Sequence, residues 1–130
     1  TTIVGLDVTA ETVMNEAYID QLRHAAGASG EFIHQISRFY LGFYEKLAGK
    51  AECPIHDASA VAYLLRPDLY RTEAAVVRVA TEGLAIGQTI HDSTRRVFAT
   101  NDWLDLPTCN ICIDVNAPAV MELYLATLSG

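Results

Sequence analysis

The sequence predicts an α/β fold: an open mixed sheet flanked by helices, with a small antiparallel hairpin. Three observations lead there. The chain opens on Thr-Thr-Ile-Val-Gly-Leu-Asp-Val, a near-continuous apolar run that suits a strand buried on both faces of a parallel sheet. Residues 30–48 then carry large apolar side chains at helical spacing, the longest periodic segment of the chain. Residues 72–81 alternate and are rich in β-branched side chains, and residues 88–92 follow Gly83 and Gly87 as an antiparallel return.

Taken in order, the opening run is expected to be a strand over residues 1–8. Little in the rest of the chain offers it a parallel neighbour, so the chain is expected to begin inside a larger domain. Residues 9–14 fit neither template. Asn15 reads as a helix cap, with Glu16 and Asp20 near the positive end of the dipole, Tyr18, Ile19 and Leu22 inward, and a stop at Gly27. Ser29 offers a cap for the next helix. There Phe32, Ile33, Ile36, Phe39, Tyr40, Phe43 and Leu47 fall on one stripe, which reads as core, while Glu31, Arg38, Glu45 and Lys46 lie off it. Tyr40 and Tyr44, four apart, are expected to stack along one side, and a buried tyrosine needs a polar partner.

Residues 49–55 read as a loop bearing Pro54. It delivers His56 and Asp57 to the start of an apolar helix that ends at Arg66-Pro67. From spacing alone, Asp57 caps that helix and His56 projects from the loop, half-buried or into a cleft. After the hairpin, residues 93–107 are polar and irregular, with Trp103 and Leu104 packing down. Residues 108–115 form a strand, Asn116 caps a last helix with Pro118 in its first turn, and Val120, Met121, Tyr124, Leu125 and Leu128 face inward.

Composition narrows the function. The 130 residues carry nine Lys and Arg against sixteen Asp and Glu, a net charge of −7. No basic stripe gathers, which argues against nucleic acid or an anionic membrane as partner. No apolar run approaches the ~18 residues a spanning helix needs. Three cysteines make no disulfide framework. Cys109 and Cys112 form a C-x-x-C, but residues three apart on a strand point to opposite faces and do not share a metal. Reduced, structural thiols in a cytoplasmic protein are expected. Neither G-x-S-x-G nor H-E-x-x-H is present, and no glycine-rich phosphate loop.

Several segments together resemble one family. Val4-Gly5-Leu6-Asp7-Val8-Thr9, then Pro54-Ile55-His56-Asp57-Ala58 with Ala60-Val61-Ala62-Tyr63-Leu64, then Glu82-Gly83 to Gly87-Gln88-Thr89, are similar in order and spacing to the C-terminal part of the inosine-uridine-preferring nucleoside hydrolases. The chain departs at Ala58, where many members have proline, and lacks an aromatic residue often found just after the position of Asp92. It also lacks the family's aspartate-rich D-x-D-x-G-x-D-D loop, which supplies most metal ligands and the base that activates water. The resemblance therefore implies the C-terminal portion of a nucleoside-hydrolase-like domain.

Such enzymes hydrolyse the N-glycosidic bond of ribonucleosides to ribose and free base, with Ca²⁺ holding the ribose hydroxyls and the attacking water. By this resemblance Asp57 matches the family's C-terminal calcium ligand. One carboxylate only completes a site built elsewhere, because calcium takes about six to eight oxygens. His56 matches the residue thought to protonate the departing base in purine-using members, a role that suits imidazole. Tyr40 and Tyr44 match positions in a mobile helix and loop that close over the nucleobase. Asp7 reads as structural, and His24, His34 and His91 carry no role. A homo-oligomer is expected, since an unpaired strand edge invites association, and the 130-residue chain alone is expected to be inactive.

Two other readings compete. One takes His56-Asp57 as part of an HD-type metal-dependent phosphohydrolase, with His34 and Asp92 completing the site. Its all-helical fold disagrees with the strand-rich second half. The other is a non-catalytic homologue serving as a binding or assembly module.

Overall fold

The computed structural model describes residues 1–94, 103 and 105–130. The elements run β1 (Thr2–Val4), α1 (Leu6–Thr9), β2 (Val13–Asn15), α2 (Glu16–Ala25), α3 (Gly27–Ala48), β3 (Glu52–Pro54), α4 (His56–Leu65), a 3₁₀ turn (Pro67–Leu69), β4 (Tyr70–Val79), β5 (Thr89–Asp92), β6 (Thr108–Val115) and α5 (Ala117–Ser129). A four-stranded mixed sheet has the order β1-β6-β4-β5, and β2 with β3 forms a separate two-stranded sheet. The α/β architecture is the expected one.

The opening run is not one strand. It is extended only over Thr2–Val4, and α1 begins at Leu6. Its parallel neighbour does exist within the chain: β6 pairs with it in the register Thr2 to Asn110, Ile3 to Ile111 and Val4 to Cys112. The partner escapes a search of nearby sequence because it lies more than a hundred residues away. β1 is half-buried along its length, not buried on both faces. The hairpin is as expected, with β5 antiparallel to β4 and Val77 opposite His91. Leu104 lies outside the described residues.

Two apolar clusters organise the packing. On one face of the sheet, Val8, Ala62, Tyr70, Cys112 and Val120 are buried together, with Val4, Tyr63 and Leu123 packed against them. The second cluster joins Met14, Ile19, Leu22, Ile33, Leu41, Cys53 and Ile55 from the two-stranded sheet and α2–α3. Helix α5 serves both, turning Val120 and Leu123 to the first and Met121, Tyr124, Leu125 and Leu128 to the second. Asn15 and Asn116 cap their helices as expected, accepting from the amides of Tyr18 and Ala119.

Helix α3 overturns part of the sequence reading. It begins at Gly27 (φ 52°), not after Ser29, and no side chain caps it. The buried positions are Gly30, Ile33, Ser37 and Leu41, spaced three to four apart. The predicted stripe lies beside this one: Phe32, Ile36, Phe39, Tyr40, Phe43 and Leu47 are all exposed, Phe39 by 75%. The helix is apolar over two adjacent faces, and only one of them meets α2, β3 and α5. The largest side chains alone therefore pointed to the wrong face.

Candidate active site

Three ties place His56. Strands β2 and β3 pair antiparallel, Val13 opposite Pro54 and Met14 opposite Cys53, which zips residues 13–15 to the segment entering α4. The Ile55 amide then donates to the Thr12 carbonyl (2.9 Å). Finally the Thr9 hydroxyl lies 2.7 Å from His56 Nδ1. Thr9 and Thr12 are both buried, and the Thr12 hydroxyl donates to the Thr9 carbonyl (2.8 Å), so the turn after α1 is itself fixed.

Helix α4 starts two residues earlier than the sequence suggested. The Ser59 amide donates to the Ile55 carbonyl (3.0 Å), which makes Ile55 the cap and His56 the first helical residue. No side chain caps this helix, so Asp57 is not the cap. It stands in the first turn, exposed, where a carboxylate is favoured by the helix dipole. His56 is half-buried. The pair is at the surface, not sealed in hydrocarbon, and His56 Nε2 has no partner among the described residues.

The tyrosines divide. Tyr44 is half-buried and packs on the cluster containing Ile55, the residue before His56. Tyr40 is exposed and packs edge-to-face on Phe39, as Tyr44 does on Phe43. The rings therefore pair with their i−1 neighbours, and the expected stack of Tyr40 on Tyr44 is not the arrangement formed. His56, Asp57, Tyr40 and Tyr44 do not line a cleft of about 650 Å³ that lies between β1 and the β4–β5 hairpin and is bordered by Ile3, Asp7, Val77, Gln88, His91 and Ile111.

Among the described residues no three His, Cys, Asp or Glu side chains group closely enough to hold a metal. Asp57 fits a hard cation as a single accessible oxygen donor and no further. The HD-type reading fails on topology: Asp92 ends β5, and His34 lies on α3 with Nε2 3.8 Å from Asp20. Sequence reasoning missed Thr9 as a contact of His56. The two are 47 residues apart, and no local signal joins them.

Residues 1–122 match the family described as inosine-uridine preferring nucleoside hydrolase. Uridine nucleosidase 1 of Arabidopsis thaliana is 27% identical over 128 residues, which are 98% of this chain and 38% of that protein. The pyrimidine-specific ribonucleoside hydrolase RihB of Escherichia coli is 34% identical over 91 residues, 69% of this chain and 29% of that protein. Among solved structures, a purine-preferring ribonucleoside hydrolase from Gardnerella vaginalis superposes with a TM-score of 0.80 at 32% identity, covering 99% of this chain and 39% of that one. A plant nucleoside hydrolase gives a TM-score of 0.93 at 20% identity, covering 99% and 41%. The chain thus spans between 29% and 41% of the length of these relatives. It belongs to the inosine-uridine-preferring nucleoside hydrolase family.

Proposed function

We propose that this chain supplies the leaving-group acid and one calcium ligand of an enzyme that hydrolyses the N-glycosidic bond of ribonucleosides to ribose and free base. The observation that carries the proposal is the state of His56. Its ring is held at Nδ1, its Nε2 has no partner among the described residues, and an exposed carboxylate stands beside it on the same helix turn. Cleavage of an N-glycosidic bond builds negative charge on the departing base, and a positioned imidazolium offers the proton that neutralises it. Exposed Tyr40 and half-buried Tyr44 are assigned to the nucleobase, whose flat π-face suits aromatic packing. Asp57 is the oxygen donor this chain would give to calcium. Bound calcium orients the ribose hydroxyls and lowers the pKa of the attacking water.

Because the chain covers 38% of a curated relative, the base that activates water and the remaining ligands are assigned to polypeptide outside these residues, and the chain alone turns over no nucleoside. The test is base release from inosine and uridine, with calcium, by the protein expressed from its whole reading frame. Release that falls in His56→Ala supports the proposal; no release by the wild-type protein removes it. A second reading, a non-catalytic assembly module, draws on the exposed face of α3, where Phe32, Phe39, Phe43 and Leu47 are open to solvent. A stop codon directly upstream of Thr1 favours that module, and an aspartate-rich loop encoded there favours the enzyme. In either case association between copies is proposed to cover that face.

A further inference from the structure

We infer that Thr9 is a positioning residue for His56, setting which ring nitrogen carries the transferable proton. The geometry stands on its own; the catalytic meaning rests on the reading of His56 as leaving-group acid. Thr9 closes α1 and is 2% exposed, so water does not compete for its hydroxyl. Two groups lie within reach of Oγ1: His56 Nδ1 at 2.7 Å and the Leu6 carbonyl at 3.5 Å. The Leu6 carbonyl already accepts the Ala10 amide at 2.9 Å. With the ring neutral, donation of the single hydroxyl proton to Nδ1 at 2.7 Å is favoured over the long, 3.5 Å contact to an already filled carbonyl, and that donation leaves the ring proton on Nε2.

With the ring protonated, the same oxygen accepts from Nδ1–H and turns its own proton toward the Leu6 carbonyl. A hydroxyl does this by rotating about one bond, so the imidazole keeps its place in both charge states. His56 is half-buried and its Nε2 has no partner among the described residues, so Nε2 is left as the nitrogen able to exchange a proton with a substrate. An alanine or valine at position 9 offers neither half of this arrangement, and a serine offers both.

The proposal is tested by nitrogen-15 NMR of histidine-labelled 130-residue chain at a pH where His56 is neutral. Wild-type protein and Thr9→Ser are expected to show a protonated Nε2 and a hydrogen-bonded, unprotonated Nδ1. Thr9→Val, of the same shape, is expected to shift the Nδ1 signal toward that of a free ring nitrogen. Identical signals in wild type and Thr9→Val overturn the proposal. Should Thr9→Val fail to fold, the wild-type chain decides: a slowly exchanging Thr9 hydroxyl proton coupled to Nδ1 supports the bond, and its absence overturns it. In the protein from the whole reading frame, Thr9→Val is expected to lower kcat for a purine nucleoside roughly tenfold with KM little changed, and Thr9→Ser to restore it. His56→Ala separates the two ideas. Unchanged purine release there removes the acid role of His56, while the NMR comparison still decides the role of Thr9.

Discussion

The hydroxyl of Tyr18 donates to the main-chain carbonyl of Met121 over 2.7 Å, joining α2 to the last helix of the chain. Burial pushes this phenol well above its ordinary value of 10.0, the neighbouring Tyr124 adds to the shift, and the Leu125 backbone opposes it. Burial likewise raises Tyr70 and Tyr124, and raises the Cys53 and Cys112 thiols from their ordinary 9.0. In each case the folded chain keeps a proton that the unfolded chain releases. The stabilisation is whole below the unfolded values and is lost as pH climbs through them toward the folded ones. Urea midpoints are therefore expected to fall above about pH 9.

Tyr18→Phe isolates one share of that effect. At neutral pH it is expected to cost about 1 kcal/mol for the lost hydrogen bond. Above pH 10 its stability should fall less steeply than that of the wild type, because one retained proton has been removed from the difference. Parallel curves for the two proteins would show that Tyr18 is not among the groups that set the alkaline limit.

Gly30 lies where α3 packs directly against the backbone of α2. A Cβ there would run into the Leu22 carbonyl and lie 2.9 Å from the Arg23 Cα, both of them backbone that cannot rotate away. The residue is in ordinary helical conformation, so the demand is for space and not for a positive φ. Gly30→Ala is expected to force the helices apart and lower stability by about 1–3 kcal/mol, despite alanine's better helix propensity. A more stable variant in thermal unfolding would contradict the close contact.

The two faces of α3 are separable by mutation. Leu41→Ala, within the buried cluster, is expected to cost about 2–5 kcal/mol. Phe39→Ser, on the exposed face, should change the unfolding free energy by no more than about 0.5 kcal/mol while weakening any self-association seen by sedimentation. Similar costs for both would mean that Phe39 is buried as the sequence stripe suggested.

This helix also shows what sequence could and could not supply. Capping residues announce themselves locally, and Asn15 and Asn116 were legible because their side chains act within three residues. The β4–β5 hairpin was legible from partial alternation and its bracketing glycines, and the cysteine-bearing segment was read as a strand. The burial of α3 was not, since Phe39 and Leu41 are both strongly apolar and only the partner helices decide which is covered. The parallel pairing of β1 with β6 and the bond from Thr9 to His56 are non-local, joining positions whose separation leaves no mark on periodicity. His56 and Asp57 were reached through family resemblance; their spacing alone gave a cap that the structure does not form.

Asp57 tests that last point and the site together. Were it the cap of α4, its removal would cost about 1 kcal/mol, as Asn15→Ala is expected to do at the start of α2. The chain instead caps α4 with Ile55 and leaves the Asp57 carboxylate exposed in the first turn, where the helix dipole favours it. Asp57→Ala should therefore change stability by about 0.3–1 kcal/mol or less, an amount that shrinks with added salt. A calcium ligand behaves differently. In the protein from the whole reading frame, titration calorimetry should show Asp57→Ala binding calcium far more weakly, while His56→Ala binds it as the wild type does and loses purine release. If Asp57→Ala retains wild-type calcium affinity, the carboxylate belongs to the helix alone. The exposed oxygen beside His56 would then need another partner to explain its place.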